Sequence, residues 1–346
     1  MADYMTDHGF SSLPSSRKRD LLVAASSTVP YSLGYFPADS FVVVGLTAHD
    51  TSDVVLGPLA RLDIHDASAM TRREIAVSLQ PLLRYRTDCC LVVGTGEDLT
   101  AAGELLEEFA AGIDHVLPVL GTVAVGDEHI VVIDDEGEHD TLTRREWETT
   151  PAVAELVVSG RALQPSSESF AFPAPSASAD APLPDDGLAA ECLKAAWRQA
   201  MLGRATTTQL AALALALHAM TPRDTFIATC IRDGGSAARF EGLTPSEIND
   251  AIISGPVRSA QDFHLVFDAL ARIASATASG LHAEICGIGG YLAWYAGDGV
   301  RARVLVEQCL AEVPDYNLAL LVNSALAVGM PPPWVDTPAA EYPTAS

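Results

Sequence analysis

The sequence predicts an α/β N-terminal domain, a mixed sheet flanked by helices, followed by an all-α C-terminal helical domain. Three observations carry this. Short apolar runs alternate with helical periods between residues 40 and 113; a Pro/Ser/Ala-rich stretch at 164–187 has no hydrophobic period; and from Leu188 onward nearly every segment has helical spacing.

Residues 1–17 are polar and aperiodic and read as a flexible tail. RDLLVAASS then reads as a short helix that stops before Pro30, because a proline pushes its predecessor out of helical conformation. SFVVVGL (40–46) is a strand, and DVVLGPLARLDI (53–64) pairs with it as an antiparallel hairpin, Pro58 marking an edge or a bulge. TRREIAVSLQPLLRY (71–85) spaces Ile75, Leu79, Leu82 and Leu83 as a helix. DCCLVVG (88–94) follows as a buried strand and EDLTAAGELLEEFAAGI (97–113) as an amphipathic helix, the order of a right-handed βαβ unit.

VLPVLGTVAVG (116–126) and HIVVIDD (129–135) meet at a tight turn over Gly126 and Asp127. TRREWE (143–148) and PAVAELVVSGRAL (151–163) add helical turns split by Pro151. The α/β domain is therefore placed at 18–163, the linker at 164–187, the helical domain at 188–334 and a tail at 335–346. Helix breaks in the second half fall at Gly, Pro and polar pairs, with Pro222 and Pro245 suited to first turns.

The formal charge is −24, from 21 basic and 45 acidic residues, and Lys18 and Lys194 are the only lysines. Phosphate backbones need clustered cations, so no nucleic-acid partner is expected, and an anionic membrane surface is disfavoured on the same ground. The run Arg17, Lys18, Arg19 reads as a solvated lead-in to the first helix. LAALALALHAM (210–220), the longest apolar helix candidate, is too short to cross a bilayer. Cys89, Cys90, Cys192, Cys230, Cys286 and Cys309 form no CxxC pair, which fits buried reduced thiols in a cytoplasmic protein better than a disulfide or zinc framework.

Few motifs point to chemistry. Gly94, Thr95 and Gly96 lie between a strand and a helix, where a dinucleotide fingerprint would sit. The third glycine position is Leu99, however, and Glu97 and Asp98 would repel a pyrophosphate, so no cofactor is expected. DDEGEHD (134–140) lacks the ligand spacing of a calcium loop and reads as a solvated acidic turn; no metal site is expected. There is no GxSxG elbow. Arg223 and Asp224 open a helix, where the aspartate suits the macrodipole and the arginine pairs locally. CGIGGYL (286–292) lies between helical segments and reads as close helix packing. One convergence remains as an alternative site at the strand ends, formed by Asp39, Ser40, His49, Gly94, Gly96 and His115, with His65 also near a strand end.

The most patterned passage is YLAWYAGDGVRARVLVEQCLAEVPDYNLALLVNSALAVGMPP (291–332). One helix ends at Gly297, a second carries Ala302, Val306 and Leu310 on one face, Pro314 breaks it, and Leu318, Leu321 and Leu326 carry a third. An aromatic near the first helix end, a small-residue face and a proline before the next helix are the features of a tetratricopeptide unit, of which only one is visible.

Two passages together resemble the actinobacterial domain-of-unknown-function family 4192. VPYSLGYFPADSFVVVGL, with Pro30, Leu33, Gly34, Tyr35, Pro37, Asp39, Ser40, Val42 and Val43, resembles its opening signature. The C-terminal passage resembles its close through Trp294, Gly297, Asp298, Gly299, Ala302, Pro314, Asp315, Leu318, Ala319 and Gly329, and Arg223 and Asp224 match a middle signature. Tyr35 stands where phenylalanine is expected, and Asn317 where a basic residue is usual. The resemblance spans about residues 18–334, implies an actinobacterial or actinophage origin, and brings no activity, cofactor or catalytic residue with it.

The expectation is thus a non-catalytic protein-binding or regulatory module that recruits a protein partner through its helical domain. A small-molecule binder or enzyme using the strand ends is the alternative, and the oligomeric state is left open.

Overall fold

The computed structural model describes residues 10, 13–48, 54–84, 87–96, 99–175, 189–256, 258–259, 261–277 and 279–336. The chain divides into two compact units, Met1–Ser166 and Ser167–Ser346.

The first unit is a mixed six-stranded sheet with helices on both faces. Its elements are α1 (Ser15–Leu33), β1 (Ser40–Ala48), β2 (Val54–Asp63), α2 (Ile64–Ala69), α3 (Arg72–Ser78), α4 (Gln80–Arg84), β3 (Cys89–Thr95), α5 (Leu99–Asp114), β4 (Val119–Val125), β5 (His129–Asp134), β6 (His139–Thr143), α6 (Arg144–Glu148) and α7 (Pro151–Val158). The strand order is β2-β1-β3-β4-β5-β6. Among the six described strands only β3 and β4 pair in parallel, joined through α5 as the alternation predicts. β1 and β2 form the expected antiparallel hairpin, with an irregularity between Val44 and Leu46 and Pro58 on the edge strand, where a missing N–H breaks no ladder. β1 also pairs antiparallel with β3, so β2 and β3 run in the same direction with β1 between them.

Phe41, Val43, Cys90 and Val92 face one core with Ile75, Leu79, Leu106, Phe109 and Ile113, and Phe41 stacks on Phe109 at 4.7 Å. Helix α1 packs on β3, β4 and β5 and against α7.

Helix α1 differs from its prediction at both ends. It begins at Ser15, within the stretch read as a tail, and runs through Pro30 to Leu33. What ends it is Gly34, in left-handed conformation at φ 80°, whose N–H returns to the Pro30 carbonyl at 2.7 Å. The proline is tolerated because Leu22, Val23, Ala25, Val29 and Leu33 are buried around it, so packing outweighs one lost hydrogen bond. Nor is Lys18 a solvated residue. It is 1% exposed and its ammonium meets Asp135 at 2.7 Å and Glu136 at 2.8 Å, so the acidic turn anchors the start of α1. Strand β6, in HDTLT, was not read from the sequence; its polar residues alternate on an edge with one half-buried face.

The second unit is helical: α8 (Ala190–Met201), α9 (Thr207–His218), α10 (Met220–Asp233), α11 (Pro245–Ser254), α12 (His264–Ser275), α13 (Ser279–Tyr295), α14 (Gly299–Glu312) and α15 (Asn317–Ala327). Thr206–Gln209 and Thr244–Glu247 are capping boxes that start α9 and α11, and Pro245 occupies a first turn as expected. Helix α13 is central and touches α9, α10, α12, α14 and α15. Its glycines explain the contact. A Cβ on Gly287 would lie 2.5 Å from the Tyr316 ring, on Gly289 2.8 Å from Phe172, and on Gly290 2.8 Å from Val306.

The stretch read as linker starts with ordered structure. Gln164 bridges to Tyr35, Ser167–Phe170 forms a 3₁₀ turn, and Phe172 is buried in the helical core with its backbone held at both N and O by Gln308, at 2.9 and 2.7 Å. Two aromatics in a polar stretch find a pocket that periodicity cannot show. Residues 176–188 lie outside the described residues.

Candidate interaction surface

The predicted site residues occupy three places. The first is the end of the sheet where β1 begins and β2 and β3 finish. Asp39 adopts a left-handed φ of 41°, rare for a residue with a side chain. Its carbonyl accepts from Ile64 N at 2.9 Å. The Ser40 hydroxyl donates to Ala38 O at 2.6 Å and accepts from Arg61 Nε at 2.9 Å, while Thr95 Oγ1 bridges Ser40 N and O at 3.2 and 3.3 Å. Arg61 also lies over the Tyr35 ring at 5.9 Å. These bonds sew three strand ends together. Gly94 pairs with Phe41, and its missing Cβ leaves room for Leu106 at 3.2 Å, so packing accounts for it. Gly96 donates to Val125 O at 3.4 Å and extends the β3–β4 ladder.

Beside this joint, Phe36, Pro37, Trp147, Ser26, Val29, Pro30, Val93, Thr95 and Val125 border a shallow recess with no room for a water molecule. Its polar groups already serve the fold: Trp147 Nε1 donates to Ser26 Oγ at 2.9 Å, and Ser26 donates to Val23 O. Arg144 closes one side, 4.2 Å from the Phe36 ring centroid, with Nη1 on Gly126 O at 3.0 Å.

The proposed convergence at the strand ends divides. Asp39, Ser40, Gly94 and Gly96 share this end, and His65 follows β2 here. His115 precedes β4 at the opposite end, 3.5 Å from Arg72 and about 20 Å away along a seven-residue strand. His49 lies outside the described residues.

The second and third places meet in the helical unit. Arg223 binds Asp224, with Nε–Oδ1 at 2.8 Å, and donates from Nη1 to the Tyr316 hydroxyl at 3.3 Å. Burial works against the arginine's charge, but the bonds to Asp224 and Tyr316 outweigh it and its pKa is raised. Burial likewise pushes the Tyr316 and Tyr291 phenols up. Tyr291 packs on Trp294 at 5.7 Å, and Trp294 Nε1 donates to Met330 O at 3.0 Å. Gly297, at φ 77°, ends α13, and Asp298 caps α14 by accepting from Arg301 N at 3.0 Å. A Cβ on Gly299 would sit 4.0 Å from Leu326 of α15. The middle and C-terminal signatures, 93 positions apart at Arg223 and Tyr316, thus build one surface from α10, α13 and α15. Tyr316 and Gly287 were the missed partners; the only signal was the glycine cluster.

Next to Tyr316, α15 packs Leu318 and Leu326 against the core and leaves other large residues outside. Ala319, Val322 and Ala325 are buried, whereas Leu321 is 61% exposed, Val328 55%, Met330 49% and Leu320 40%. The sequence placed Leu318, Leu321 and Leu326 on one packed face; Leu318 and Leu326 do pack against the core beside the small residues, whereas Leu321 does not.

The remaining chemistry is structural. Burial raises the Cys89 and Cys309 thiols to about 12 and pushes Cys90, Cys230 and Cys286 up as well, so these are poor nucleophiles. Among the described residues no three His, Cys, Asp or Glu side chains assemble as a metal site, and no helix is long and apolar enough to cross a membrane.

The architecture is an α/β unit followed by a helical unit, with signature residues in both. The family described as Domain of unknown function (DUF4192) matches residues 22–333, and the chain belongs to it. No curated protein and no solved structure matches the chain.

Proposed function

We propose that the protein is a non-catalytic docking module that binds a protein partner through the outer face of α15 and the turn beyond it. The exposed apolar residues carry the reading: Leu320, Leu321, Val328 and Met330 face outward, while Leu318, Ala319, Val322, Ala325 and Leu326 pack toward the core. Met330 beyond one end of α15 and the Arg223–Tyr316 pair at the other add residue types enriched at interfaces. In this reading α13, α14 and α15 act as a tetratricopeptide-like docking element, and the protein works in the reducing cytoplasm of an actinobacterial cell, consistent with its six free cysteines. A ligand site at the strand ends is the second reading, favoured by the recess beside Pro37, but its polar groups are engaged in the fold.

The test is a photo-crosslinking amino acid at position 321 in the producing cell, with position 158 as an exposed control. The docking reading expects an adduct of defined mass at 321 alone, lost on Val328→Glu. No adduct at 321, or the same adducts at both positions, overturns it.

A further inference from the structure

The second unit begins with a strap laid on α13 and α14. Phe170 stacks on the Arg301 guanidinium at 4.8 Å, Gln308 holds Phe172 at both backbone atoms, and the Pro173 carbonyl meets His282 of α13. His282 is 1% exposed, and both of its ring nitrogens point at acceptors: Nδ1 at Glu312 Oε1, 2.6 Å away, and Nε2 at Pro173 O, 3.1 Å away. A neutral imidazole has one N–H and one lone pair. With its proton on Nε2, the Nδ1 lone pair would face a carboxylate; with its proton on Nδ1, the Nε2 lone pair would face a carbonyl. Both contacts hold together only while the His282–Glu312 pair carries a second proton. Imidazole is the stronger base of the two groups, so that proton sits on the ring. The surrounding groups do not supply it. Cys286 Sγ lies 3.8 Å from Nε2 and 3.9 Å from Nδ1, in line with neither, and burial pushes its thiol up, as it does for Cys309 beside Gly287. On the helices packed around α13, His218 of α9 bonds Glu284, and Arg223 of α10 bonds Asp224 and Tyr316. Asp268 of α12 acts on Arg301 of α14, and α15 carries no ionisable side chain.

We propose that His282 is a pH-operated latch on this strap. With two ring protons it serves Glu312 and Pro173 O at once. As pH rises the second proton passes to solvent and a single N–H must choose between two acceptors. Hydrogen bonds to a carboxylate are stronger than those to a neutral carbonyl, so the N–H stays with Glu312 and the Pro173 carbonyl is given up. The last firmly held residue of the strap then becomes Phe172, because the Gln308 amide that clamps it does not titrate. The latch is independent of the outer face of α15.

Glu312→Gln separates a latch from a bond that only holds structure. Its amide can donate to Nδ1, so a neutral ring protonated on Nε2 serves both contacts at every pH. Two readouts on the full chain test the proposal from about pH 5 to about pH 9, a range across which histidine changes charge. Long-range proton–nitrogen NMR, assigned through bonds, counts the protons on the His282 ring, and limited proteolysis near residue 173 reports opening of the strap. The wild type should show two ring N–H groups at the acid end and one at the alkaline end, and Glu312→Gln one on Nε2 throughout. Taken relative to Glu312→Gln at the same pH, which cancels the protease's own pH dependence, wild-type cleavage should rise about tenfold from acid to alkaline, the effect of leaving one buried acceptor unpaired. A His282 proton count that does not change over the range, or a relative cleavage rate that stays flat, overturns the proposal. The proton count needs only the wild type, so it decides even where Glu312→Gln does not fold.

Discussion

Alanine at Gly287 tests whether α13 holds the two signatures together. In an exposed helix, glycine costs about 1 kcal/mol relative to alanine. Gly280, in the first turns of the same helix, has nothing within 4 Å of the added Cβ, so Gly280→Ala should gain roughly that amount. At Gly287 the same carbon would stand 2.5 Å from Tyr316 Cε1 and 3.0 Å from Cδ1, so the ring must move by about 1 Å to reach ordinary contact. The ring is not free to do so, because its hydroxyl accepts from Arg223. Overpacking costs about 1–3 kcal/mol, against which the propensity gain stands. Gly287→Ala should therefore fall about 1–3 kcal/mol below Gly280→Ala, or roughly 2–12 °C in the melting of a unit this size. Gly290→Ala should be at least as costly, since Val306 at 2.8 Å is β-branched and stiff. Urea unfolding of the full chain and each variant gives the comparison. Tyr316→Ser in the Gly287→Ala background should recover part of the loss. If Gly287→Ala is as stable as Gly280→Ala, the close approach of Tyr316 to α13 is wrong and with it the junction of the signatures.

Titration of the native protein with a thiol reagent should count one fast cysteine, Cys192, the exposed member of six, with the others reacting only after unfolding; Cys192→Ser should remove the fast phase. Lys18 is linked to alkaline pH. Burial opposes its charge, but the bonds to Asp135 and Glu136 outweigh this and raise it above 10.5, so its contribution is fully present below that value and lost as pH rises through the raised one. Stability of the wild type should fall more steeply above about pH 10.5 than that of Lys18→Met, measured by denaturant midpoint. His282, 1% exposed, faces Glu312 Oε1 with Nδ1 at 2.6 Å and Pro173 O with Nε2 at 3.1 Å. His282→Leu removes both contacts, should cost about 1–3 kcal/mol, and should speed proteolysis near residue 173; an unchanged cleavage rate would refute the anchoring role.

The sequence was legible wherever one face of an element meets water. The β1–β2 hairpin and the parallel pair around α5 follow from apolar runs between turn residues and from period 3.6. Where burial surrounds an element those signals fade. Helix α1 contains Ser26, Ser27, Thr28 and Pro30 and looks broken, yet its hydroxyls donate to Val23, Ala24 and Ala25 carbonyls of the preceding turn and the helix continues in the core. Lys18 looks solvated because its partners are 117 and 118 positions away.

The candidate surface was hidden for a related reason. A helix is phased from sequence by contrast between its faces, and NLALLVNSALA has almost none: three polar residues and no charge in eleven. With leucines on every side, composition leaves the phase of the helix open, and the partner helices set it. Gly287 and Gly290 bring α13 close to Tyr316 and to α14, and the space left beside α15 takes Leu318, Ala319, Val322, Ala325 and Leu326 while Leu320 and Leu321 stay outside. Enlarging that space therefore has a definite consequence. Tyr316→Ala should loosen the start of α15 and let Leu320 turn inward. Leu321 would remain exposed, because Val322 holds the register from the buried side. A crosslink at position 321 that survives Tyr316→Ala but not Val328→Glu would show that the outward residues, rather than the Arg223–Tyr316 junction, make the contact. Loss of the crosslink in both would make the junction part of the interface.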